Sequence, residues 1–161
     1  VIPNGNNIAR LCGGSTAPNG VPQAGAFRPN LGSDDRPPDD GLSVYWLELL
    51  KQEGSLQEKL QALREFCANS PVGERKAGKT AVWAVIPTEK LNGAVHELSG
   101  TAFQCLHMPR NHPDLANAQD PHSEIHTNPP IPDWNKDSAW RLAVQQFICD
   151  QVVHHESATI A

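Results

Sequence analysis

The densest group of proton-handling side chains in the sequence is His122-Ser123-Glu124-Ile125-His126. Residues two apart on an extended chain share a face, so this spacing would set His122, Glu124 and His126 side by side on a strand. An imidazole titrates near neutrality and can give or take a proton, and a carboxylate beside it holds its tautomer or raises its basicity. His107 ends an earlier β-prone run, and a hairpin between the two runs would bring it to the same edge. In that arrangement His107 and His122 are the candidate acid/base groups and Glu124 their orienter. Arg10, a lone cation in the apolar island Ile8–Cys12, is the candidate anion clamp, because a guanidinium grips a carboxylate or phosphate through two parallel bonds. The competing reading of Arg10 is structural, a tie from the N-terminal segment to a core acid such as Glu48.

The same histidines admit blander accounts. A solvent-facing polar strand edge needs no chemistry at all. A divalent metal held by His107, His122 and His126 is a weak third reading, since Cys105-x-His107-x4-His112 only loosely resembles the paired, short-loop ligands of structural zinc sites. Gly73–Thr80 formally matches a P-loop, but a working P-loop follows a strand and opens a helix, so that loop and helix-terminal amides converge on the phosphates. Here the match follows a helical pattern and runs into the β-prone Thr80–Ile86, so no bound nucleotide is expected. Ser43 reads as a helix cap rather than a nucleophile, with no Gly-x-Ser-x-Gly elbow around it. Cys12, Cys67, Cys105 and Cys149 are far apart and form no C-x-x-C, which suits reduced, buried thiols better than a disulfide framework. His154-His155 reads as part of a solvated tail.

The elements that must position these residues follow from capping and periodicity. Ser43, Trp46, Leu49 and Leu50 suggest a helix over 43–53, stopped by Gly54. Ser55-Leu56-Gln57-Glu58 is a capping box, and Leu56, Leu60, Leu63 and Cys67 continue it as an apolar stripe over 55–69. Strands are expected near 80–86, 101–107 and 122–126, and a last helix over 138–153 capped by Asp137. Residues 1–41 are rich in Gly, Pro, Asn and Asp and read as an irregular wrapping arm, with 42–161 as a single α+β domain, one domain overall. Helices and strands are segregated without a βαβ rhythm, so the expected fold class is α+β: a small, mainly antiparallel sheet packed by about three helices.

Composition narrows the function classes. A chain of 161 residues can bury one core without staples. Its net charge is -5 and its 13 Lys and Arg are scattered, so it lacks the concentrated basic face that non-specific nucleic-acid binding requires. No apolar run is long enough to span a bilayer, and Val-Ile-Pro-Asn-Gly has neither the charged start nor the apolar core of a signal peptide. With the cysteine spacing, that points to a cytoplasmic location.

Several segments together resemble a group of small uncharacterised bacterial proteins: Ile8-Ala9-Arg10-Leu11-Cys12, Ala26-Phe27-Arg28, Leu42-Ser43-Val44-Tyr45-Trp46-Leu47-Glu48, Leu106-His107-Met108-Pro109 and Asp120–His126. The shared pattern is an arginine-containing opening, a Leu-Ser-Val-x-Trp-Leu-Glu segment, then His-x-Pro and His-x-x-Ile. The resemblance covers 8–126 in scattered pieces. It implies a bacterial origin, draws attention to Arg10, Ser43, Glu48, His107 and His122, and brings no activity with it. From the residues themselves two functions stand. One is a hydrolase or transferase using the His-Glu cluster on a phosphate-containing substrate. The other is a non-enzymatic interaction module (an inhibitor, antitoxin-like partner or assembly subunit) docking through 1–41 and 109–121.

Overall fold

The structure, a computed structural model, describes residues 1–30, 32, 34–35, 37, 39–71, 79–97, 100–130 and 138–159. Among the described residues seven strands form one antiparallel sheet: β1 (Asn7–Cys12), β2 (Leu42–Trp46), β3 (Val82–Pro87), β4 (Val95–His96), β5 (Thr101–His107), β6 (His122–Asn128) and β7 (His154–Ser157), in the order β4-β5-β6-β2-β1-β3-β7. The α-helices among the described residues are α1 (Leu47–Leu50), α2 (Leu56–Asn69) and α3 (Ser138–Cys149). The α+β class and the antiparallel pairing are as the sequence implies, although the sheet has more strands than the three expected.

The extra strands come from segments that local pattern misrepresents. β1 lies inside the sheet, between β2 and β3, so the segment read as a wrapping arm supplies one of its central strands. The expected helix over 43–53 is instead strand β2 followed by the single turn α1. Leu42 and Val44 are buried on one face of the strand while Ser43 and Tyr45 turn to the other, a period of two that outweighs the partial helical spacing of Trp46, Leu49 and Leu50. Ser43 therefore caps no helix. β7 pairs with β3 where a solvated tail was expected. Its polar strand is held by Arg64 of α2, which donates to the Ser157 carbonyl at 3.0 Å and bonds the Glu156 carboxylate, itself 2.9 Å from His154 Nε2.

The two faces of the sheet bury separate apolar clusters. On one, Ile8, Cys12, Leu42, Val44, Ala84, Ile86, Phe103, Cys105 and Ile125 pack under Val144 and Ile148 of α3 and under Phe27 of the 3-10 turn Ala24–Phe27. On the other, Ala9, Trp83 and Val85 pack under Leu60 and Leu63 of α2 and Leu47 of α1. α2 starts at the capping box read from the sequence, with the Ser55 hydroxyl accepting from the Glu58 amide at 3.1 Å. β3 is buried along both faces, which is why its apolar run is continuous rather than alternating. Asp137, the expected cap of α3, and Gly73–Gly78 of the P-loop match lie outside the described residues. Lys79 and Thr80, also of that match, are exposed in a turn that leads into a strand.

Candidate functional site

The register of β5 on β6 decides which histidines can cooperate. His107 pairs with Ser123 and Leu106 with Glu124, while on the other side of β6 Ser43 pairs with Glu124 and Tyr45 with His122. Residues directly opposite share a face and neighbours along a strand do not. His122, Glu124, His126 and Ser43 therefore lie together on the α2 side, and His107 turns to the α3 side. Expectation and structure part here: His107 and His122 do not converge on a common point. A shift of one residue between β5 and β6 would have united them.

Each ring has its own partners. His107 Nε2 donates to the Asp120 carbonyl at 2.7 Å, and its ring meets Trp46 edge-to-face at 5.4 Å. Those bonds make His107 a clamp on the turn before β6. On the opposite face, His122 Nδ1 lies 2.7 Å from the Met108 carbonyl. A carbonyl oxygen only accepts, so Nδ1 carries a hydrogen, and in the neutral ring Nε2 keeps its lone pair. That lone pair is directed to the Ser43 hydroxyl, 3.4 Å away. Glu124, the expected orienter of His122, bonds its other neighbour: Oε1 is 2.8 Å from His126 Nε2. The orienter of His122 is a backbone carbonyl instead.

The buried Asp120 holds this end of the sheet together. Its carboxylate accepts from the His122 amide at 3.0 Å and from Arg110 through the backbone amide at 2.8 Å, Nε at 3.1 Å and a terminal guanidinium nitrogen at 2.9 Å. Burial opposes its charge, but the bonds from Arg110 and the His122 amide, with Arg110's positive charge, outweigh that and hold the carboxyl below its usual range. The Arg110 guanidinium in turn lies 5.8 Å over the Tyr45 ring, which meets His122 edge-to-face at 6.1 Å. Asp120 and Arg110 were missed in the sequence because their roles depend on a turn conformation; the one available signal was an aspartate two residues before His122, ahead of a proline.

Arg10 does not reach this side. Paired with Ala84 and sharing its face, it points to the α3 layer, where Nε donates to the Ala26 carbonyl at 3.0 Å and a terminal nitrogen to the Ser43 carbonyl at 2.7 Å. It ties the 24–27 turn to β2. Glu48, proposed as its partner, instead accepts from Asn7 and from Lys59 at 2.9 Å. No group of three or more His, Cys, Asp or Glu among the described residues is placed to hold a metal ion, and His107, His122 and His126 in particular are divided between two faces.

The cysteines are free thiols, two of them buried. Burial raises all four, Cys12 and Cys67 to about 11 and Cys105 to about 12, so at neutral pH they remain protonated and unreactive. None of the described helices is long and apolar enough to cross a membrane. Comparison with protein-family models, with curated proteins and with solved structures gives no match for the chain.

Proposed function

We propose that the protein is a small bacterial, cytoplasmic hydrolase or transferase acting on a phosphate-containing substrate, with His122 as its proton-transfer group. One observation carries this reading. His122 is locked in a single tautomer by the Met108 carbonyl, with a basic nitrogen left on the half-open face of β6. A neutral imidazole held in that way is the arrangement general-base catalysis needs, because the group neither rotates nor changes tautomer before it takes the proton. Arg110 reaches this face with its charge paired to Asp120. Its guanidinium is oriented by Asp120 and lies 5.8 Å over the Tyr45 ring, one ring away from His122. Glu124, directly across from Ser43, is engaged by His126, whose Nε2 lies 2.8 Å from its Oε1.

The test is turnover of 4-nitrophenyl phosphate and bis(4-nitrophenyl) phosphate by the wild-type chain and by His122→Gln. Removing a positioned base lowers the rate by about a hundredfold or more. Absence of wild-type turnover on both esters, or a His122→Gln variant as fast as wild type, would overturn the reading.

A further inference from the structure

We infer that Ser43 is a nucleophile, forming a covalent phosphoryl-serine with His122 as its base; this rests on the reading of His122 above. Three observations on the page converge on it. First, Ser43 lies in β2 rather than at a helix start, so its hydroxyl is not used as a helix cap. Second, its side chain is exposed on the face shared with His122, although its neighbours Leu42 and Val44 are buried. Third, the His122 nitrogen that faces Ser43 is the one that the Met108 bond leaves able to accept a proton.

The sequence carbonyl–imidazole–hydroxyl repeats the logic of an activated serine: an acceptor fixes the base, and the base faces the nucleophile. A backbone carbonyl stands where a carboxylate is more usual. It fixes orientation and tautomer without adding a charge to the imidazolium that forms. The 3.4 Å separation is long for a working pair, as is common before substrate draws the two groups together.

The chemistry balances with the groups present. Ser43 Oγ attacks phosphorus while its proton passes to His122 Nε2. The bond from phosphorus to the leaving oxygen breaks, and that oxygen takes the proton back from the imidazolium. In the second half a water, or an acceptor alcohol for transfer, gives its proton to His122 and attacks the phosphoryl-serine, and Ser43 Oγ departs with the proton returned. Nothing is oxidised or reduced. Attack takes place on the face of β6 where Ser43, which is exposed, sits across from the half-buried Glu124.

The experiment uses the whole chain and diethyl 4-nitrophenyl phosphate, a neutral triester whose diethylphosphoryl adduct on serine hydrolyses slowly. The expected result is release of one equivalent of nitrophenolate and a diethylphosphoryl group on the peptide containing Ser43, located by mass spectrometry. Both signals should vanish in Ser43→Ala and fall about a hundredfold in rate in His122→Gln, with thermal midpoints confirming that the variants fold. No adduct, an adduct on another residue, or a Ser43→Ala variant that turns over phosphate esters at the wild-type rate would overturn the assignment. The two readings fail separately. Turnover that depends on His122 with no Ser43 adduct sinks the nucleophile alone. An adduct on Ser43 that depends on His122, without turnover of the two nitrophenyl phosphates, supports the nucleophile and sinks the phosphate substrate.

Discussion

One face of this sheet is used in two different ways, and the boundary runs along β2. Under α2 this face of β1 and β3 is largely apolar, with Ala9 and Val85 inaccessible and Trp83 nearly so. On β5 and β6 the same face carries Gln104, Leu106, His122, Glu124 and His126, all half-buried or exposed. The backbone is the same antiparallel ladder throughout. What differs is the cover: the apolar cluster beneath α2 takes no member from β5 or β6. Where a helix lies on the sheet, polar side chains would forfeit hydration, and the sequence supplies hydrocarbon. Where it stops, titratable groups keep contact with water yet gain fixed partners from a rigid ladder. Tyr45 marks the boundary, packing with one edge on Trp83 of the covered half and with another on His122 of the open half.

The comparison predicts that stability and chemistry separate across β2, with Asp120 as the exception that serves both. Asp120→Ala removes the carboxylate that holds Arg110 and the His122 amide and should cost about 4 kcal/mol, as loss of one partner from a buried ion pair does. Urea denaturation measures that loss, and turnover should fall with it because the His122 segment loses its anchor. The lowered pKa of this carboxyl adds a pH signature. Its charged form is favoured in the fold, so its contribution is complete above the unfolded carboxyl value near ~4 and is lost as pH falls below that through the folded value. Wild type should therefore lose stability more steeply on acidification than Asp120→Asn; equal acid profiles would show that Asp120 does not hold the turn. Next in size is Leu63→Ala, about 3 kcal/mol from a fully buried position under α2. Turnover well below the melting midpoint should not change. If it does, the two halves are not independent.

How much of this the sequence could reveal depended on where each element's partners lie. The Ser55 capping box and the stripe Leu56, Leu60, Leu63 define α2 from residues within one helix, and α2 appears as read. The strand Thr101–His107 is legible from its own alternation. β2 reads locally as a helix because Ser43 and Leu49-Leu50 imitate a capped amphipathic turn; only its pairing with β1 and β6, distant in sequence, makes it a strand. β7 carries no apolar alternation, and the arginine that satisfies it is 92 positions away from Glu156. The site divides in the same way. That His122, Glu124 and His126 share a face follows from a period of two. That His107 does not join them, and that Ser43, 79 positions from His122, does, follows from register, which the local sequence does not encode.

The smallest effect is expected at Gly41, where the open half is packed most closely. A Cβ built there would lie 2.7 Å from the Glu124 Cβ and 2.8 Å from both Glu124 Oε1 and His126 Cδ2. The backbone leading into β2 thus rests on the Glu124–His126 pair, two residues before Ser43. Gly41→Ala must displace either the pair or the strand entry. Overpacking of this kind costs about 2 kcal/mol in a core, and about 1 kcal/mol is expected here because the crowded side chains are half-exposed and can move outward. The Glu124–His126 contact adds little to that sum, since polar pairs in contact with water contribute at most about 1 kcal/mol. The consequence for turnover should exceed the consequence for stability, because shifting Gly41 moves Ser43 relative to His122. A variant that loses stability without losing rate would place the working groups elsewhere on the sheet and would leave the open half a polar edge without chemistry.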